Sequence, residues 1–164
     1  MSERPPEFGA LYAGLSALAG AGRYREALER ATEALPHYPE DRGILTLFRA
    51  GMAARLNDHQ GALALLREAL DTGEWYAPVF WDSADFAALR DLEEFHRLRA
   101  LSNQRRVAAR TGARPELFVH LPEQVLEPLP VLMALHGNLH NGEIEIAQWS
   151  GMLARGWLVA AAQS

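Results

Sequence analysis

Leu129-Pro130-Val131-Leu132-Met133-Ala134-Leu135-His136-Gly137-Asn138 is the stretch whose reading decides the fold. Five apolar residues, Val131 to Leu135, run without a polar interruption. Such a run predicts a strand buried on both faces, as in a parallel sheet. It stops abruptly at His136-Gly137 and opens into the polar loop Asn138-Leu139-His140-Asn141-Gly142. In an open parallel sheet, ligands meet the carboxyl ends of the strands, so this loop is the candidate functional loop.

The residues on either side complete a unit. Ile144, Ile146, Ala147, Trp149, Met152 and Leu153 predict a helix over 142–155, with Gly156 as its C-cap. Trp157 to Ala162 predicts a second buried strand. Strand, helix and strand then form a parallel βαβ unit with a right-handed crossover. Upstream, Leu117-Phe118-Val119-His120-Leu121 reads as a further strand, and Pro122 to Pro128 as a loop.

The first hundred residues have a different texture. Apolar residues recur three and four apart at Leu11, Leu15 and Leu18, then at Ala27, Leu28, Ala31, Ala34 and Leu35. Gly20-Ala21-Gly22 separates the two runs, and Pro36 and Pro39 close the second. This predicts a helical hairpin. The pattern returns 35 residues later, where Asn57-x-His59-x-Gly61-Ala62-Leu63 aligns with Gly22-x-Tyr24-x-Glu26-Ala27-Leu28, and Ala69-Leu70 with Ala34-Leu35. The spacing resembles the tetratricopeptide repeat, or TPR. The first helix departs from that repeat at Leu15, where a small residue is usual, and the second repeat departs at Asn57 and Glu74. A generic helical bundle is the alternative.

Residues 75–112 give no third copy. Trp75, Tyr76, Phe80 and Trp81 form an aromatic cluster, expected to plug the end of the helical array, with a peptide-binding pocket as the alternative. Asp91 and Glu94 have capping-box spacing ahead of a helix that carries Phe95, Leu98 and Leu101. Arg97, Arg99, Arg105, Arg106, Arg110 and Arg114 are expected to form its solvated face, with an anion-binding patch as the alternative. Thr111 to Pro115 ends the helix. The boundaries expected are thus a TPR-like helical domain over 1–112 and a shortened α/β domain over 113–164. The fold class is α plus α/β, with helical hairpins followed by an incomplete parallel sheet of about three strands and one crossover helix.

Residues 117–164 resemble the opening of an α/β-hydrolase, in the esterase, lipase and peptidase superfamily. The resemblance rests on the strand ending in His136-Gly137, the helix with Trp149, and Gly156-Trp157-Leu158-Val159-Ala160 running to Gln163-Ser164. It implies that the loop after His136-Gly137 supplies an oxyanion-hole N–H from Asn138 or Leu139, with His136 and Gly137 shaping the turn. It also implies a nucleophile in a Gly-x-Ser-x-Gly elbow after a later strand, followed by an acid and then a histidine. No Gly-x-Ser-x-Gly occurs in the 164 residues. Ser164 lacks the elbow glycines, and His120, His136 and His140 precede where the family histidine falls, so no catalytic residue is assigned. The strand 130–136 is expected at the sheet centre, between 157–162 and a missing nucleophile strand. Its open edge would be prone to aggregation.

A metal site is the rival reading of the loop, because His136 and His140 lie four apart with Glu143 near. The HExxH pattern fails at Gly137, and no Gly-Lys-Ser/Thr phosphate loop exists. No cofactor is expected. The chain has no cysteine, which excludes disulfides and thiolate metal sites. All 16 basic residues are Arg, and the net charge of −5 makes nucleic acid an unfavourable partner. The N-terminus has no apolar signal-peptide core and no run approaches the ~20 apolar residues of a membrane helix, so a cytoplasmic protein is the default.

The functional expectation is the N-terminal fragment of a TPR-containing serine hydrolase for a small-molecule ester or amide, inactive as it stands. The helical repeats are expected to serve as a lid, an oligomerisation arm or a surface for a protein partner. The alternative is a TPR-type interaction module with a vestigial α/β tail.

Overall fold

The computed structural model describes residues 6–112, 115–125, 128–135 and 142–163. The chain divides into two compact units, Met1–Arg110 and Thr111–Ser164.

In the first unit, α1 (Pro6–Gly20) and α2 (Tyr24–Ala34) form one hairpin, and α3 (Arg42–Arg55) and α4 (His59–Asp71) a second. Each helix packs on the next in sequence. The turns within the two hairpins share one feature. Gly22 takes φ +75° and Asn57, 35 residues on, takes φ +61°. Both turns need a left-handed residue to bring the next helix back, and Asn is one of the few side chains that tolerate that conformation. Asp58 then caps α4, its carboxylate accepting the Gly61 N–H at 2.9 Å.

The small residues sit where the pattern puts them. Ala27, Ala31 and Ala62 are fully buried, and Ala34 and Ala69 nearly so. Having only a Cβ, they let neighbouring helices approach closely. Leu15 is buried among Phe8, Ala31, Ala34 and Leu45, so the position that departs from the repeat is a core position. Pro36 and Pro39 end α2 as expected, each within a short 3₁₀ turn.

The aromatic segment closes this unit through α5 (Pro78–Trp81), a 3₁₀ turn at Ala84–Leu89, and α6 (Glu93–Gly112). The Trp81 and Phe95 rings meet at 5.3 Å, Phe86 and Phe95 at 5.7 Å, and Tyr76 and Trp81 at 6.5 Å. They extend one core shared with α3 and α4. Trp75 stands outside it, largely exposed.

Glu94 does not reach back toward Asp91 as a capping box would require. Its carboxylate pairs with Arg67 of α4, because the long-range cation competes successfully with a local cap. The arginines of α6 are also more engaged than a solvated face. Arg99 pairs with Asp82, Arg97 with Glu93, Arg106 with the Asn103 amide, and Arg105 donates to the Leu70 carbonyl near the end of α4.

In the second unit, β1 (Glu116–His120), β2 (Val131–Leu135) and β3 (Leu158–Gln163) form one sheet in the order β1-β3-β2. The β2–β3 pair is parallel, with Val131 opposite Leu158 and Leu135 opposite Ala162, as the βαβ reading requires. β1 runs antiparallel to β3, so the sheet is mixed rather than parallel. Among the described residues β2 pairs with β3 alone, the neighbour expected for it, and its other edge is open, so β3 is the central strand of the three.

The expectation that β2 is buried on both faces is overturned. Leu132 and Ala134 face α7 (Gly142–Gln148) in a small core with Phe118, Ile146, Val159 and Ala161. Val131, Met133 and Leu135 alternate to the other side and are exposed, Leu135 by 75%. One crossover segment covers one face, and a pleated strand sends every second side chain to the other. The expected helix over 142–155 is also divided. α7 ends at Gln148, and Ser150–Arg155 continues as 3₁₀ turns. Gly156 closes that segment at φ +79°, as its glycine suggested.

Candidate functional site

The oxyanion-loop candidates His136, Gly137, Asn138 and Leu139 lie outside the described residues, as do His140 and Ser164. What is described is the frame that holds the loop. Its entry is Leu135, the last residue of β2, and its exit is Gly142, the first of α7. The parallel register sets Leu135 beside Ala162, so the carboxyl ends of β2 and β3 lie together.

The exit is tightly built. The Gly142 N–H donates to the Gln163 side-chain oxygen at 2.8 Å, which ties the start of α7 to the end of β3. Gly142 is buried, and a Cβ there would lie 2.7 Å from the Phe118 ring and 3.3 Å from the Ala162 carbonyl oxygen. Only glycine lets the backbone pass this close to the sheet. Gly142 is therefore held at a defined place beside the end of β3.

Other residues singled out in the sequence lie elsewhere. His120 ends β1, but β1 is antiparallel, and His120 pairs in register with Val159 near the start of β3. It lies at the end of the sheet opposite the loop. Glu116 lies at the loop end instead, opposite Gln163. Gln163 was expected at this end of the sheet as the carboxyl end of the last strand, whereas sequence reading missed Glu116, because only strand direction and register bring it there. Glu143 is exposed in the first turn of α7. Among the described residues, no cluster of three or more His, Cys, Asp or Glu could hold a metal ion.

The helical unit has its own polar seam. Arg55 Nε donates to Asp85 Oδ1 at 2.8 Å, and its guanidinium lies 5.6 Å from the Tyr24 ring centre. The hydrogen bond to Asp85 raises the Arg55 pKa further above its ordinary value. Burial, and then the Asp85 charge, push the Tyr12 phenol up. The seam joins α1, α2 and α3 to the 3₁₀ turn at 84–89, and its charges are matched. It reads as structural.

A family model for the A/B hydrolase-like, N-terminal domain matches residues 17–110. The chain belongs to that family. The match falls on the helical unit, and the strand-bearing residues 117–164 follow it. Among solved structures, the A/B hydrolase-like chain is similar to the crystal structure of an uncharacterized protein from Bacillus cereus ATCC 10987. The two are 21% identical with a TM-score of 0.58, over 94% of this chain and 50% of the other. At that identity the likeness concerns the fold, and the chain spans about half the length of that relative. No curated protein matches. Among the described residues, no helix is long and apolar enough to cross a membrane.

Proposed function

We propose that this chain is the N-terminal part of a serine hydrolase acting on an acyl ester or amide, with its nucleophile, acid and base in residues C-terminal to Ser164. The membership of residues 17–110 in the A/B hydrolase-like N-terminal family carries this reading. The parallel β2–α7–β3 unit supports it, because Leu135 and Gly142, which flank residues 136–141, both lie at the carboxyl ends of β2 and β3, where an α/β-hydrolase has its oxyanion-binding turn. On this reading Asn138 or Leu139 offers one N–H to the developing oxyanion, His136 and Gly137 shape the turn, and the 164 residues alone do not turn over substrate. The helical hairpins act as TPR-like modules that position the catalytic domain or a protein partner. The 35-residue offset of two left-handed turns supports that part.

The test is hydrolysis of 4-nitrophenyl acyl esters of increasing chain length by the full-length protein. Turnover lost on changing the serine of a downstream Gly-x-Ser-x-Gly to alanine is the expected result. A full-length frame with no such elbow, or turnover by the 164-residue chain itself, overturns the proposal.

A further inference from the structure

The helical unit contains a cavity of about 400 Å³ that belongs to neither the strand-end loop nor the polar seam. One side is apolar, formed by Tyr76, Pro78 and Trp81. The other is one face of α6, where His96, Arg99 and Asn103 recur at helical spacing. Among the described residues, none of the lining side chains is a carboxylate, and Asp82 pairs with Arg99 at its margin.

The walls are held from behind. The Tyr76 backbone N–H donates to Ser102 Oγ at 2.8 Å, Ser102 Oγ donates to the Tyr76 carbonyl at 3.2 Å, and the Tyr76 hydroxyl donates to the Gly43 carbonyl at 2.8 Å. Arg99 is braced by Asp82, whose two oxygens lie 2.8 Å from Nη1 and 3.0 Å from Nη2. That fork uses two of the five guanidinium donors and leaves the remainder for a second acceptor. The cavity thus combines an aromatic wall with the guanidinium donors of Arg99 that the Asp82 pair leaves over. Its size falls at the small end of ordinary ligand sites.

We propose that this cavity is a binding site for a small carboxylate with a flat or branched apolar body. The body packs on the Tyr76–Pro78–Trp81 wall and the carboxylate accepts from Arg99, with Asn103 and His96 beside it. The proposal concerns the family's N-terminal domain and stands whether or not the hydrolase reading holds.

The probe is 3-phenylpropionate, titrated calorimetrically into the 164-residue chain beside its uncharged counterpart 3-phenylpropanol. The carboxylate is expected to bind, at least about tenfold more tightly than the alcohol, because the alcohol forfeits the charged hydrogen bonds. Arg99→Gln is expected to remove most of that difference. Ala100→Trp, on an exposed position of α6 that lines the cavity, is expected to block both ligands. Circular dichroism of each variant verifies folding, and the acid-against-alcohol comparison on the unaltered chain needs no variant. No binding of 3-phenylpropionate at 10 mM or so, equal binding of acid and alcohol, or binding indifferent to both substitutions in folded protein each overturns the proposal.

Discussion

Ser102→Ala should be among the most damaging single-atom deletions in the helical unit. Ser102 is fully buried on α6, and its hydroxyl serves both backbone groups of Tyr76, 26 residues earlier in the chain. Tyr76 lies between α4 and α5, where no helix ladder can pair its N–H and C=O. Alanine would leave a buried donor and a buried acceptor without their partner. Each such group costs about 1–3 kcal/mol, because it loses water on folding and gains nothing in return. The 2.8 Å bond is the stronger of the two and the 3.2 Å bond the weaker, so the pair comes to roughly 2–4 kcal/mol. With a urea m-value of about 2 kcal/mol/M, that lowers the unfolding midpoint by about 1–2 M. The assay is urea denaturation followed at 222 nm, where the helical unit dominates the signal. The exposed neighbour Gln104→Ala serves as control and should change stability by less than about 0.5 kcal/mol. A Ser102→Ala loss no larger than that of the control refutes the reasoning, since it would mean that the Tyr76 backbone finds other partners at no cost.

Three further outcomes follow from single contacts. Asn57→Gly should hold or raise the melting temperature, whereas Asn57→Ala should cost about 1 kcal/mol, because the left-handed φ of +61° strains any Cβ that lacks the local hydrogen bonding of Asn; equal melting temperatures would contradict this. Gly142→Ala should destabilise the strand-bearing unit by about 1–3 kcal/mol through its clash with the Phe118 ring, read from the fluorescence of Trp149 and Trp157 during unfolding, and an unchanged transition would show that the close approach is dispensable. Burial, and then the Glu74 charge, hold the Tyr76 phenol well above the ordinary tyrosine range. The folded state therefore keeps this proton more tightly than the unfolded state does. Its stabilising contribution is complete below the unfolded tyrosine pKa of about 10 and is lost as pH rises from there through the folded value. Tyr76→Phe should flatten the alkaline arm of the stability profile, and an identical fall in both proteins would contradict the assignment.

Much of the helical unit is legible in the sequence because its signals are local. A left-handed turn between two apolar faces needs Gly or Asn whatever surrounds it, so Gly22 and Asn57 mark the two hairpins 35 residues apart. Pro36 and Pro39 end a helix for the same kind of reason, and Gly156 caps a segment whose interior does not continue as α-helix. The capping-box spacing at Asp91 and Glu94 is a local signal that loses, because Arg67 of another helix offers Glu94 a full charge. Around the candidate loop, the strands and the parallel βαβ unit are readable from apolar runs. The positions of Glu116 and His120 are not, since nothing within a strand states which way its neighbour runs.

The sequence by itself determined the helical hairpins, the left-handed turns between them, and a βαβ unit delivering a glycine-bearing loop to the strand ends. These follow from periodicity and from the φ angles a residue type permits, which depend on a few neighbours only. Tertiary structure decided that β3 is central, that β1 is antiparallel, and that the apolar run 131–135 covers one face of the sheet and exposes the other. It also decided that Gly142 locks onto Gln163, and Ser102 onto Tyr76. Each of these depends on which distant segment arrives as partner. An apolar run states only that its residues favour leaving water; whether a partner arrives to cover them is settled by topology and register.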